Sequence, residues 1–272
     1  MKEIAGGVYV FRQPVLDVNV GLVVGDAAAL VVDTLSSDAQ AAELLATVRR
    51  VTSLPLLAVN THHHFDHAFG NAVFAGQGVP IWGHEEAAAL LRTRGELLRE
   101  QWCAEWAATE PALVAEMAKV TVHPPDRTVH RESTVDLGGR VVELRHYGRG
   151  HSVGDLVVLV PDADVLVFAG DLVEESGPPQ FDDAYPLDWP DTLAGLLPRL
   201  AETSPVVPGH GAVVDKAFVR EQHEQLTALD WLIREGESDG QPIERVAKKS
   251  PFDFDTSLIA VRRGYDQLSG KA

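Results

Sequence analysis

The sequence predicts an α/β protein in which two β-rich halves, each flanked by helices, stack as two sheets with helices outside. Three observations lead to this. Short β-branched runs separated by Asp and Gly turns fill two stretches, residues 8–33 and 126–170. Segments rich in Ala, Leu, Glu and Arg, all good helix formers, lie between and after them. A faint internal echo links the halves: Ala29-Leu30-Val31-Val32-Asp33 and Leu166-Val167-Phe168-Ala169-Gly170-Asp171 each end a predicted hairpin on an Asp.

Taken in order, Val8–Phe11, Val18–Val24 and Ala29–Asp33 read as strands. Ser36 or Ser37 caps a helix running to about Arg50, which Leu54-Pro55 stops. Leu56–Asn60 is a short apolar strand, followed by a small helix over His67–Phe74 and a strand at Val79–Trp82. Glu85–Lys119 is a helical insertion, with Trp102 and Trp106 four apart on one face and Gly95 and Pro111 dividing it. Strands return at Val135–Leu137, Arg140–Tyr147, Leu156–Val160 and Val165–Ala169. Glu174–Pro190 reads as a loop, Asp191–Leu200 as a helix and Val206-Val207 as a strand. From Asp215 the chain is mostly helical, with a break at Gly236–Pro242.

The 272 residues suffice for one to two domains with a large core. With 23 Lys plus Arg against 40 Asp plus Glu, the net charge of −17 argues against a nucleic-acid partner, which would require clustered cations. No stretch approaches 18 consecutive apolar residues, so no membrane span is expected. The single Cys103 excludes an intrachain disulfide, and Met1–Val10 does not resemble a secretory signal. The expectation is a cytoplasmic protein acting on a small-molecule substrate.

Histidine is the unusual component: 11 in all, four of them from His62 to His67. In Thr61-His62-His63-His64-Phe65-Asp66-His67, His62 and His64 lie two apart on an extended segment and point to one side, so both reach one ion. Asp66 and His67, after a turn, project elsewhere and suit a second ion. His151, Asp171 and His210 each stand at a strand-to-loop junction, where a rigid sheet places functional groups. His84, His123, His130, His146 and His223 show no such pattern and read as structural or surface residues; His63 points away from the ligands flanking it.

On these residues, and on Phe69-Gly70-Asn71 after the motif, the chain resembles the metallo-β-lactamase superfamily from roughly Val8 to Val214. The resemblance implies a four-layer αββα sandwich: a catalytic domain over 1–214, a helical insertion at about 85–120 and a helical C-terminal extension over 215–272. It implies that His62, His64 and His151 hold one metal, that Asp66, His67 and His210 hold a second, and that Asp171 bridges them. Asp33 matches an acid that supports such sites through hydrogen bonds. Imidazole and carboxylate ligands suit two Zn²⁺ per chain, with Fe or Mn as substitutes. The implied activity is hydrolysis of small-molecule esters, thioesters or lactones by a metal-bridging hydroxide, which Asp66 orients.

Asp171 and the ligand set resemble glyoxalase II and its thioesterase and lactonase relatives, leaving β-lactam hydrolysis as a weak side activity. A mononuclear iron enzyme of the persulfide dioxygenase kind is the alternative, and a non-catalytic metal-binding module the least favoured reading. Trp102, Trp106, Phe181, Tyr185 and Trp189 are the candidates for an apolar substrate pocket over the metals.

Overall fold

The computed structural model describes residues 1–162 and 164–271. Seven strands form the first sheet: β1 (Lys2–Ala5), β2 (Val8–Gln13), β3 (Val18–Val24), β4 (Ala29–Val32), β5 (Leu56–Val59), β6 (Ile81–His84) and β7 (Arg127–Val129), side by side in chain order. The first four pair antiparallel and β4 to β7 pair parallel. The second sheet has five strands: β8 (Glu132–Asp136), β9 (Val141–Arg145), β10 (Val157–Val160), β11 (Leu166–Gly170) and β12 (Val206–Pro208), antiparallel except for the β11/β12 pair. The helices are α1 (Asp38–Val51), α2 (Phe65–Ala68), α3 (Asn71–Gly76), α4 (Glu85–Trp106), α5 (Pro111–Met117), α6 (Trp189–Leu196), α7 (Lys216–Ser238), α8 (Ile243–Ala247) and α9 (Phe254–Leu268).

The central strands are apolar throughout because both of their faces are covered. Side chains alternate across a strand. In β4, Leu30 and Val32 face the second sheet while Ala29 and Val31 pack with Leu44 and Val48 of α1. In β11, Leu166 and Phe168 join the inter-sheet core while Val167 and Ala169 pack with Leu226 and Ile233 of α7 and Val261 of α9. The result is helix, sheet, sheet, helix. A further apolar cluster, Phe65, Phe69, Leu91, Leu113 and Met117, seats α4 and α5 beside the histidine motif.

Several expectations change. β1 and β7 went unread because they are the two edges of the first sheet; the four residues of β1 are exposed or half-buried, so no apolar alternation marks it. The helix expected over His67–Phe74 is two helices. Phe69 N–H closes the first turn onto Phe65 O, but Gly70 N–H turns away to Leu35 O (2.8 Å). Gly95 does not divide the insertion: α4 runs through it, and a Cβ there would lie 2.6 Å from Val122 Cγ1, so glycine serves close packing. The helix expected from Asp191 starts at Trp189.

β9, β11 and β12 run in the same direction, so their C-terminal ends lie on one edge of the second sheet. The C-terminal ends of β4 and β5 lie on the same edge of the sandwich, because the start of β3 is tied to the end of β12: Asn19 N–H donates to Gly209 O (2.7 Å), and Asn19 Nδ2 donates to Pro208 O (3.0 Å) and Gly211 O (2.9 Å).

Two predictions concern this framework. Gly21 of β3 faces Phe168 across the sandwich, and a Cβ would meet the ring at 2.4 Å. Gly21→Ala should destabilise by about 1–3 kcal/mol through overpacking, and by clearly less in a Phe168→Leu background; equal losses in urea denaturation of both backgrounds would refute the contact. His84 caps α4, accepting from Glu86 N–H at Nδ1 (3.3 Å) and donating from Nε2 to His130 O (3.0 Å), with its ring stacked 3.9 Å from His146. Burial first, and His146 second, push it down to about 4. The folded state therefore keeps His84 neutral while the unfolded chain protonates near 6.5. Stability is full above that value, falls as pH drops from about 6.5 to about 4, and loses up to about 3 kcal/mol from this group. Denaturation midpoints of wild type and His84→Gln across that window should show a shallower pH slope for the variant; parallel slopes would exclude His84 as the source.

Candidate metal centre

The residues converging on this edge come from four strand ends. β5 delivers the chain into His62, His63 and His64, and α2 carries Asp66 and His67. His151 lies in the loop after β9, Asp171 directly follows β11, and His210 follows β12. The loops are cross-tied. Asn60 Nδ2 donates to His67 O (3.0 Å), Asn60 and Asn71 pair through their amides, and Leu156 N–H donates to Thr61 O (2.7 Å).

The structure brings all seven sequence-predicted ligand candidates together. His62, His64, His151 and Asp171 form one group and Asp66, His67 and His210 another, each with its ligand atoms within 4.8 Å of one another. Asp171 sits between the groups. Its Oδ2 is 3.7 Å from His62 Nε2, 3.4 Å from His151 Nε2 and 3.4 Å from His210 Nε2, and its Oδ1 is 3.1 Å from His67 Nε2. His210 Nε2 is 3.2 Å from Asp66 Oδ2 and 3.4 Å from His67 Nε2, and His64 Nδ1 is 2.9 Å from His151 Nε2. Tetrahedral ligands at 2.0–2.1 Å from a zinc ion stand about 3.3 Å apart, so these separations fit a metal. His62 Nε2 is buried with no hydrogen-bond partner in the protein, as an imidazole kept for a metal would be.

The outward-facing ring atoms are held in place. Asp33, immediately after β4, has φ of +69°, a strained value for a non-glycine residue. Its buried carboxylate accepts from Thr61 N–H (2.7 Å), Thr61 Oγ1 (2.8 Å) and His67 Nδ1 (2.8 Å). Thr61 Oγ1 in turn lies 3.1 Å from His62 Nδ1. One acid thus orients a histidine of each group. His210 Nδ1 donates to Leu16 O (2.6 Å). His64 Nε2 donates to Asp183 Oδ1 (3.0 Å), and His63 Nε2 lies 3.2 Å from Asp183 Oδ2.

Charge follows from this geometry. Burial, reinforced by His67, pushes His62 well below its ordinary value, and burial pushes His151 down to about 4. Both are neutral imidazoles, the form that binds metal. Burial also opposes charge on His64, but Asp183 outweighs it and raises the ring to about 9. Burial alone would raise Asp171; His67 and His210 lead the imidazoles that hold it well below the carboxylate range.

The centre opens into a groove of about 710 Å³. Leu16, Phe65, Leu98, Trp102 and Trp106 give it an apolar wall, and Glu105, Glu174, Asp182 and Asp183 an acidic one. Among the described residues, no lysine or arginine lines it. Trp102 and Trp106 are where a pocket requires them, but Phe181, Tyr185 and Trp189 do not line the groove. Phe181 and Trp189 are buried in the core beneath the loop, where apolar burial is worth more than exposure to the groove, and Trp189 Nε1 donates to Leu172 O. Tyr185 stacks under Arg149, 4.1 Å from its ring centroid. Sequence reasoning missed Thr61, Asp183 and Glu174. The Asp182-Asp183 pair stood in the loop already singled out, but nothing local tied it to histidines 119 residues away.

Comparison with known proteins completes the assignment. The acyl-coenzyme A thioesterase MBLAC2 of Gallus gallus is 31% identical over 180 residues, 63% of this chain and 60% of that protein. A metallo-beta-lactamase type 2 from Bacillus sp. (strain 170) is 31% identical over 116 residues, 41% of this chain and 45% of the relative. The chain therefore spans about half the length of these curated relatives. The crystal structure of the DIM-1 metallo-beta-lactamase superposes with a TM-score of 0.65 at 22% identity, covering 84% of this chain and 96% of that one; a metallo-beta-lactamase from Pontibacter korlensis gives 0.64 at 23%. Those likenesses show the fold. The family pattern of the metallo-beta-lactamase superfamily matches residues 14–210, which contain all seven converging side chains, and the chain belongs to that superfamily.

Proposed function

We propose that the protein is a dinuclear zinc hydrolase of neutral, apolar acyl substrates: esters, thioesters or lactones. The observation that carries this reading is the convergence of six imidazole and carboxylate side chains on Asp171 at the floor of a half-apolar groove. His62, His64 and His151 would hold one ion, Asp66, His67 and His210 the other, with Asp171 shared. Bound divalent metals supply Lewis acidity and lower the pKa of a bound water from about 15.7 towards about 7.

The chain's own residues set the rest. Asp33 keeps His67 Nε2 and, through Thr61, His62 Nε2 turned inward. Asp66 lines the groove, and its Oδ2 lies beside His210, where a carboxylate can accept and hold a proton. Trp102, Trp106 and Leu98 offer an acyl chain an apolar face. Among the described residues, the acidic wall has no lysine or arginine to anchor a substrate carboxylate, which disfavours anionic acyl groups.

Metal analysis of the purified protein should find two zinc equivalents per chain, with activity lost to chelation and restored by Zn²⁺. Asp171→Ala should bind less metal and turn over at least ~100-fold more slowly, beyond the 10–100-fold typical of outer-shell losses. Wild-type protein with well under one equivalent of metal and no gain on adding Zn²⁺ would sink the proposal. Matched thioesters differing only in a terminal methyl or carboxylate on the acyl chain test the groove. The methyl form should have kcat/KM at least ~10-fold higher, about 1.4 kcal/mol in transition-state binding, and Trp102→Ala should narrow that gap. Equal kcat/KM values would remove the argument from groove charge.

A further inference from the structure

The loop from Leu172 to Asp188 carries an acid of the metal centre, Asp183, yet it belongs to neither sheet. Several of its backbone groups are met by side chains of the C-terminal helices, which lie beyond the family match ending at residue 210. Gln222 of α7 accepts from Glu174 N–H (3.0 Å) and donates to Leu172 O (2.8 Å). Gln267 of α9 accepts from Leu187 N–H (3.1 Å). Between these points, the Arg263 guanidinium of α9 donates through Nε to Ala184 O (3.1 Å) and through Nη2 to Asp183 O and Ala184 O (both 3.0 Å).

We propose that Arg263 is a positioning residue for the metal centre. By gripping the carbonyls of residues 183 and 184, it holds the Asp183 carboxylate against His64 Nε2, and so keeps His64 Nδ1 facing His151 and Asp171. The Asp183 side chain is 47% exposed, so packing alone does not fix it; His63 and His64 hold its carboxylate, and its reach to them depends on where its backbone is held. A guanidinium suits this task because its planar fork reaches two adjacent carbonyls at once and stays charged at any working pH. His64 is largely buried but lines the groove, and Asp183 is the one carboxylate among the described residues that hydrogen-bonds its ring. The C-terminal extension is thereby coupled to the first metal group through a chain of three residues, Arg263, Asp183 and His64.

This inference rests on His64 being a metal ligand, and the experiment separates the two. Wild type, Arg263→Met, Asp183→Asn and the double variant are titrated with Co²⁺ against a competing chelator, with the visible spectrum of bound cobalt reporting the first site and thermal melts reporting folding. Arg263→Met keeps the packing stem and removes the donors. It and Asp183→Asn should each weaken the first-bound ion roughly 10-fold and alter its spectrum. The double variant should match Asp183→Asn alone, because Arg263 acts through that residue. If Arg263→Met does not fold, Arg263→Lys, which keeps the charge but loses the fork, should show a smaller weakening in the same direction. Wild-type affinity in whichever of these folds, or penalties that multiply in the double variant, would overturn the clamp alone. Wild-type protein that binds no cobalt would overturn the metal reading and the clamp with it.

Discussion

The buried carboxylate of Asp33 is the constraint on which the site depends. It ends β4 in a left-handed backbone conformation that only surrounding bonds can maintain, and it accepts three hydrogen bonds from the segment leaving the adjacent parallel strand. Those bonds register β5 against β4 at the point where both strands end. They also set which nitrogen of His67 and His62 faces inward. Burial pushes the Asp33 carboxyl upward while His67 and Thr61 draw it back, so the acid and its partners are stable only together. A single group thereby links strand pairing, loop conformation and ligand orientation.

The sandwich explains why ligand candidates so distant in sequence can meet. Parallel pairs β4/β5 and β11/β12 place their C-terminal ends on one edge, and Asn19 ties the two sheets together there. Each sheet contributes turns that follow largely buried strands, β5 in the first and β11 and β12 in the second, so the ligand candidates stand on a well-packed framework. The C-terminal helices do more than cover the second sheet. Their apolar faces pack on β10 and β11, and Gln222, Arg263 and Gln267 at their margin satisfy a loop that has no strand partner.

The charge balance has a structural meaning that composition alone does not carry. The chain is acidic overall at −17, and the groove concentrates acids as well, with four carboxylates along one wall in addition to Asp66 and Asp171 on its floor. Arg149, Arg12 and Arg99 do not line the groove and are paired with acids of their own, Asp188, Asp17 and Glu96. The proposed divalent ions would complement such a floor, and the proposed neutral acyl group such a wall. Burial among aromatic rings completes the apolar half, with Trp102 within 6 Å of Phe65, Phe69 and His64.

Much of this was present in the chain itself. The central strands were readable because residues buried on both faces leave continuous β-branched runs, and the ligand candidates were readable because metal binding demands a narrow set of residue types at strand ends. The edge strands β1 and β7 were not, since an edge is defined by its neighbour and carries no pattern of its own. Gly95 looked like a helix break because the reason for a glycine there, Val122 lying against its Cα, is a contact between segments. Trp189 and Phe181 looked like pocket walls because an aromatic residue reads the same in a core as in a groove. The sequence by itself determined which strands are central and which side chains are able to bind metal, because hydrophobic periodicity and ligand chemistry are local properties. Only the tertiary structure decided that Asp183 reaches His64, that Arg263 grips its backbone and that, among the described residues, no lysine or arginine lines the groove, because hydrogen bonds and electrostatic fields depend on distances that only the folded chain defines.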